Sequence, residues 1–336
     1  MATAVAMTLG LAGVSSAQDS RSSAWRGQSL VGSTRVALSA LYEPSLPGVL
    51  PRTSMLVANS AVAPVVSEHW QVGVSPSWSR FAADKTFYQG ALSLTLDYLP
   101  GSGDNVSRPF VGVFVSETGA TEAPGFGVLG AQTGWIHFLS PSIALRAEAR
   151  LRHVLGAADN TSADLFLTFD PYVLGRAQQP VVRLPGFGVF DATVVADLEV
   201  KPTQIGQLNS TVAPFLTRWF QVGGTENFTF LFSDNEGSHY LELYGRAYLP
   251  VSLRLVPFVD VYTAVDQGEG GAPADRSHGE RAGMRAYLAP GVALDLAWQW
   301  RDRPAVPSSP LYSVQFPEER TLRIGLTTQF RATRER

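Results

Sequence analysis

Apolar and polar residues alternate with a period of two along most of this chain, the pattern of strands with one apolar and one polar face. Between Thr86 and Pro100, Tyr88, Gly90, Leu92, Leu94, Leu96 and Tyr98 fall on one face. Gln89, Ala91, Ser93, Thr95 and Asp97 fall on the other. From Trp70 to Trp78, Trp70, Val72, Val74, Pro76 and Trp78 alternate with Gln71, Gly73, Ser75 and Ser77. An apolar stripe ended by aromatic rings suits a strand that crosses a bilayer, with the rings at the two interfaces. Trp70, Trp78, Tyr88, Tyr98, Trp298 and Trp300 are the candidate interface aromatics.

Ser142 to Val154 has helical composition, rich in Ala, Leu, Arg and Glu, but strand alternation. Ile143, Leu145, Ala147, Ala149, Leu151 and His153 oppose Arg146, Glu148, Arg150 and Arg152. A related segment decides the ambiguity. Val292, Leu294, Leu296, Trp298 and Trp300 alternate with Ala293, Asp295, Ala297, Gln299 and Arg301, which makes a poor helix and a good strand.

The relation between those two segments is general. Val62-Ala63-Pro64 and Gln71-Val72-Gly73 return as Val212-Ala213-Pro214 and Gln221-Val222-Gly223. Pro109-Phe110-Val111 returns as Pro257-Phe258-Val259, and Leu139-x-Pro141-x-x-Ala144-Leu145 as Leu288-x-Pro290-x-x-Ala293-Leu294. With Tyr98-Leu99-Pro100 returning as Tyr248-Leu249-Pro250 and Gly134 as Gly283, six such matches in one order predict a tandem duplication with a unit of about 150 residues. One pairing misbehaves: aligning Tyr248 with Tyr98 turns Glu242 and Arg246 toward lipid, unless the register there is slipped by one.

Eight strands are expected in each unit. The first eight fall near 33–43, 54–64, 69–80, 86–99, 107–117, 126–139, 142–155 and 163–174. The second eight fall near 189–200, 206–217, 219–233, 238–249, 252–266, 279–288, 291–302 and 319–331. The expected organisation is 1–17 signal peptide, 18–32 N-terminal leader, 33–176 first barrel repeat, 177–188 linker and 189–336 second barrel repeat. The fold class is all-β, a transmembrane antiparallel β-barrel of about sixteen strands from two eight-strand repeats. Two eight-stranded barrels in series are the alternative. Tight turns at Leu139-Ser140-Pro141-Ser142 and Leu288-Ala289-Pro290-Gly291 mark one edge as periplasmic. The stretches Glu117–Gly125, Asp266–Gly279 and Asp302–Glu318 mark the other, as longer external loops.

Composition agrees with a membrane barrel. Charged residues make up only 16% of the chain, Gly (31) and Pro (22) are abundant, and the net charge of −3 points to no nucleic-acid partner. The absence of cysteine excludes disulfides and thiolate metal sites. The apolar run Ala4–Val14 followed by Ser15-Ser16-Ala17 reads as a secretory signal cleaved after Ala17.

The run Pro109-Phe110-Val111-Gly112-Val113, then Gly130-x-x-x-Gly134, then Phe138-Leu139-Ser140-Pro141 and Ala144-Leu145-Arg146-Ala147-Glu148-Ala149-Arg150 resembles the small OmpA/OmpW-type outer-membrane β-barrel superfamily. The resemblance covers most of the first unit and implies eight-stranded units in the outer membrane of a Gram-negative-type bacterium. A final strand ending in Phe330 also looks like the signal read by the outer-membrane insertion machinery, although Arg331–Arg336 follow it.

The candidate lumen residues are Arg146, Glu148, Arg150, Arg152, Asp97, Asp197, Asp260, Asp295, Arg301 and Arg323, all on polar faces. In a wide barrel they bias which solutes pass, which makes the protein a porin-like passive channel for small polar solutes. In a narrow barrel they pair and fill the interior, leaving a non-conducting scaffold that displays loops. An enzyme is not expected. The remote alternative is a rim hydrolase using His137 with Ser140 or Ser142, or His278 with Asp266 and Asp275. No cofactor or metal is expected, and the expected partners are outer-membrane lipid and the insertion machinery.

Overall fold

The protein is described from a computed structural model, covering residues 25–43, 54–82, 86–101, 105–121, 123–156, 161–178, 189–200, 204–232, 236–249, 251–252, 254–267, 274–302 and 318–331. The expected signal peptide, residues 18–24 of the leader and residues 179–188 of the linker therefore lie outside the described residues.

Sixteen strands follow one another. In the first half they are β1 (Thr34–Glu43), β2 (Ser54–Ser67), β3 (Trp70–Ala82), β4 (Thr86–Tyr98), β5 (Ser107–Ala120), β6 (Ala123–Ser140), β7 (Ile143–Val154) and β8 (Thr161–Val173). In the second half they are β9 (Val189–Glu199), β10 (Ile205–Pro214), β11 (Phe220–Leu231), β12 (Glu236–Tyr248), β13 (Leu255–Gln267), β14 (Asp275–Ala289), β15 (Val292–Asp302) and β16 (Glu318–Arg331). Each pairs antiparallel with its sequence neighbours, and β16 pairs with β1 to close the barrel. Closure leaves no free sheet edge, which is what allows strands to stand in hydrocarbon. Ile143–Val154 is strand: the period-two pattern outweighs helix propensity because its apolar face is turned outward, with Ile143 at its start packed into an apolar cluster.

Strand runs into two of the three expected long loops, over Glu117–Ala120 and 123–125 in the first and over 266–267 and 275–279 in the second. The ladder continues through Thr118↔Phe126 and Ala120↔Ala123, and through Asp266↔Asp275. Beyond the bilayer a strand needs no apolar face, so the alternation that marks its middle gives no warning of its tip. The two tight turns are as expected: Pro141-Ser142 joins β6 to β7, and Pro290-Gly291 joins β14 to β15. Gly291 sits at φ 77, where a side chain would be strained.

The slip near Tyr248 is real. Gln71 stands opposite Asp97, but Gln221 stands opposite Arg246. Tyr98 therefore points outward, its ring tilted against Trp70 at 5.1 Å, while Tyr248 points inward and its hydroxyl donates to Gln221 Oε1 at 2.9 Å. Glu242 and Arg246 turn inward with it, and both are buried.

The ring is pinched at one edge. Toward the edge carrying the two-residue turns, β1 leaves β16 and pairs with β8 through Thr34↔Val173 and Arg35↔Tyr172. There β16 leaves β1 and pairs with β9 through Thr328↔Ala192 to Arg331↔Val189. Toward the opposite edge, β8 pairs with β9 through Asp164↔Glu199 to Thr168↔Val195. There β1 pairs with β16 through Ser39↔Gly325 to Tyr42↔Leu322. One barrel thus becomes two eight-stranded rings at its turn edge. Apolar side chains fill the space between the rings, with Phe330 lying 5.2 Å from Phe169 and 5.5 Å from Phe190.

The outer surface carries a continuous apolar band. Leu92, Leu94 and Leu96 on β4, Val111, Val113 and Val115 on β5, and Val259 and Val261 on β13 are all exposed. Such an area of exposed aliphatic side chains has no place in water.

Candidate lumen and its ion-pair networks

Inward positions of the first ring follow a short recipe: a glycine, an aromatic ring across from it, an arginine on that ring, and a carboxylate on the arginine. Phe110 faces Gly134 directly, and Phe114 faces Gly130. A β-carbon on Gly134 would collide with Phe110 and with the backbone of β7, so only glycine lets the ring lie flat on the wall. Arg146 lies over Phe110 at 3.8 Å, and Arg150 over Phe114 at 5.0 Å and Phe166 at 4.8 Å. Arg146 bonds Glu148 at 2.7 Å and Asp97 at 3.2 Å; Arg150 bonds the other oxygen of Glu148 at 2.6 Å. Asp97 and Arg146 are only 1% and 2% exposed, while Arg150 at the other end of the network is a third exposed.

The second ring uses the same recipe on different strands. Phe258 faces Gly283, Tyr262 faces Gly279 and Tyr244 faces Gly223. Arg246 lies 4.0 Å from Phe258, and Arg281 lies 4.6 Å from Tyr262. Arg246 reaches Asp260 at 2.8 Å and Asp295 at 3.2 Å. Arg281 reaches Asp260 at 2.6 Å and Glu242 at 2.7 Å. Arg285, 1% exposed, spans Asp191 at 2.8 Å and Asp295 at 2.7 Å.

Of the ten sequence candidates, Asp97, Arg146, Glu148 and Arg150 come together in one network, and Asp260 and Asp295 in the other. Arg152 sits apart, nearer the loop edge and over a third exposed, pairing with Asp164 and, across the β8–β9 seam, with Glu199. Asp197 faces Phe166 on that seam, and Arg323 faces Leu41 on the β1–β16 seam. Arg301 donates to Ser277 Oγ at 2.8 Å and lies 5.7 Å from the Tyr240 ring. The reading of the sequence missed Arg281, Arg285 and Asp191. Their signal was present as Arg281-x-Gly283-x-Arg285, two guanidiniums flanking the glycine seat at period two. It was passed over because the basic run of the first unit lies on β7, not on β6.

The six interface candidates divide by position. Trp70 and Tyr98 form an exposed pair near the turn edge, and Trp78 and Tyr88 a stacked pair at 6.1 Å near the loop edge. Trp300 is exposed, and Trp298, 6.2 Å away, is half-buried.

The turn edge of the first ring is capped by chain as well as by side chains. Residues 25–33 cross it, held by Gly32 N–H to Val65 O and Val65 N–H to Ser33 O, both 2.9 Å. Trp25 and Leu30 enter the apolar cluster beneath. Arg176, in a single 3-10 turn after β8, lies 3.8 Å from Phe138 and 4.9 Å from Trp25 and donates to Asn105 O at 2.9 Å. Burial pushes this guanidinium down to about 10. Of the hydrolase candidates, His137 contacts Ser107 Oγ at 3.2 Å, and His278 is an exposed partner of Asp302 at 3.5 Å; the side chain of Asp275 lies outside the described ones. Among the described residues no group of His, Asp and Glu could hold a metal.

The glycine seats are testable. Gly283→Ala sets a β-carbon about 2.6 Å from Phe258 and against the backbone of β15. It is expected to cost about 1–3 kcal/mol of stability. Gly90→Ala, whose β-carbon meets nothing nearer than 3.7 Å, is the control and leaves the urea midpoint unchanged.

No family model matches the chain, and no curated protein does. Among solved structures it is similar to a bacterial polysaccharide outer membrane secretin, at 8% identity and a TM-score of 0.46, over 90% of this chain and 98% of that one. It is also similar to a BamA from Haemophilus ducreyi lacking POTRA domains 1–3, at 10% identity and a TM-score of 0.45, over 89% of this chain and 70% of that one. A third is the CymD monoaromatic hydrocarbon channel, at 10% identity and a TM-score of 0.40, over 91% and 89%.

Proposed function

We propose that this chain is a duplicated barrel that spans a bacterial outer membrane, porin-like in architecture, and that it stands closed at rest. The observation that carries the closed state is the filling of both rings. Arg146, Arg150, Arg246, Arg281 and Arg285 each lie on an aromatic ring and are matched to one or two carboxylates within 2.6–3.2 Å. An eight-stranded ring has an interior just wide enough for its own side chains. Passage of small polar solutes then belongs to a state in which the rings no longer stand apart. The exposed apolar band and its aromatic ends support the membrane reading. The duplication is supported by one contact made twice: Gln71 donates to Ala63 O, and Gln221 to Ala213 O, each at 2.9 Å.

The C-terminal strand is the proposed handle for the insertion machinery. Since Phe330 ends up buried between the rings, it would be read before the barrel closes. Export after cleavage near Ala17 completes the route.

Planar-bilayer recording of the refolded full chain tests the closed state. The expected trace is silent, with a heat-shifted band on gels showing that the barrel is folded. Steady ohmic conductance from the folded protein would instead make it an open passive channel. The scaffold reading is favoured if no condition or cross-link ever elicits conductance.

A further inference from the structure

Four strands share their pairing by depth, and they do so in a way that can be exchanged. β1 and β16 keep one register where they meet, Ser39↔Gly325 through Tyr42↔Leu322. Continued unchanged toward the turn edge, that register brings Arg35 opposite Gln329. Both strands are long enough to pair throughout, and neither has a bulge at this seam. The β8–β9 register continues in the same way. The crossing can therefore move along the strands as a branch point does, each step breaking one intra-half pair in each ring and forming one inter-half pair in each seam. Backbone hydrogen bonds are exchanged one for one except at Pro171, which has no N–H to give.

The crossing is also where backbone is left over. Residues 36–38, 169–171, 193–194 and 326–327 have no strand partner on the edge facing the crossing. A cavity of about 490 Å³ opens there, lined by most of these residues together with Arg35, Arg146 and Phe166. Unpaired peptide groups at bilayer depth are costly, so a crossing held at one fixed position gains nothing from hydrogen bonding. Pro171, which has no N–H to leave unpaired, lies in the gap.

We propose that this crossing is the gate of the barrel: moving it toward the turn edge merges two filled rings into one sixteen-stranded ring with a continuous central lumen. The inference rests on the reading of the protein as a closed membrane barrel. What opposes the movement is the apolar packing between the rings around Phe330, Phe169 and Phe190.

The chain has no cysteine, so pairs can be introduced cleanly. Ala192→Cys with Thr328→Cys staples the pairing seen here. Arg35→Cys with Gln329→Cys staples the alternative. In the present arrangement Arg35 faces Asp170 inside the first ring, and Gln329 faces the same way as Asp191 inside the second. Their side chains point into different lumens, beyond the reach of a disulfide. Both pairs are expected to oxidise in the full-length protein reconstituted in phosphatidylcholine bilayers, the second more slowly. The oxidised second variant conducts, the oxidised first does not, and dithiothreitol abolishes the difference. A second variant that stays reduced while the first closes overturns the proposal, and so does one that is bridged yet silent. If Arg35→Cys prevents folding, Ala37→Cys with Thr327→Cys, which needs a two-residue advance, takes its place under the same criteria. Cross-linking repeated in detergent judges the crossing by itself. Loss of the membrane reading would appear separately, as wild-type protein that never inserts into vesicles.

Discussion

Arg285→Met lowers the unfolding free energy of the barrel by about 3–5 kcal/mol, the usual cost of removing one partner from a buried charge network. Arg285 is fully enclosed and is the only described contact that joins Asp191 to Asp295. Without it, Asp295 retains Arg246 at 3.2 Å, but Asp191 keeps only the amide of Gln221 at 2.7 Å. A carboxylate left in that position has lost its counter-charge and cannot reach water. Arg152→Gln makes the contrast. Arg152 is over a third exposed, so its two ion pairs are screened, and the change is expected to cost no more than about 1 kcal/mol. Urea unfolding in vesicles, followed by the heat-shifted band, measures both. Adding Asp191→Asn and Asp295→Asn to Arg285→Met should recover much of the loss, because the stranded charges go with their partner. Equal midpoints for Arg285→Met and Arg152→Gln would mean that the network is hydrated, and the closed state would fall with it.

Leu94→Arg is expected to cost about 2–4 kcal/mol, the penalty for an arginine near the middle of a bilayer. Leu94 is 46% exposed in the centre of the apolar stripe on β4, between the Trp70–Tyr98 and Trp78–Tyr88 aromatic pairs. Ser93→Arg, one residue away, is expected to be nearly neutral. Ser93 lies in register with Ser75 and Ser116, a row of small residues on the face away from lipid. Insertion yield into vesicles and the urea midpoint separate the two. If both substitutions are equally harmful, the facing is wrong; if both are harmless, the band does not meet lipid.

Much of this was legible in the residues because β-structure writes its facing into a period of two. On β4 the alternation of Leu92, Leu94 and Leu96 with Ser93, Thr95 and Asp97 states which side meets lipid before any partner is known. The ambiguous Ser142–Val154 segment could be settled because its counterpart, Val292–Asp302, has no helical composition. Even the slip at Tyr248 announced itself, since the wrong register would have put Glu242 and Arg246 into hydrocarbon.

The chemistry of the interior was legible only in part. Arg146, Glu148 and Arg150 are adjacent on one strand, so their pairing is nearly local. The link from Arg146 to Asp97, or from Arg285 to Asp191, joins residues far apart in sequence. Which carboxylate an arginine meets depends on register across several strands, and register accumulates from every turn between them.

By itself, then, the sequence determined most strands, their facing and a count of about sixteen, because alternation and strand length are local properties of the chain. The tertiary structure alone decided how the ring closes. Nothing local distinguishes β1 paired with β16 from β1 paired with β8, since either partner offers the same ladder of backbone donors and acceptors. The choice is made at each depth by what packs behind the strands: Phe169, Phe190 and Phe330 hold the rings apart at the turn edge, and the Arg152–Glu199 pair spans the β8–β9 seam toward the other.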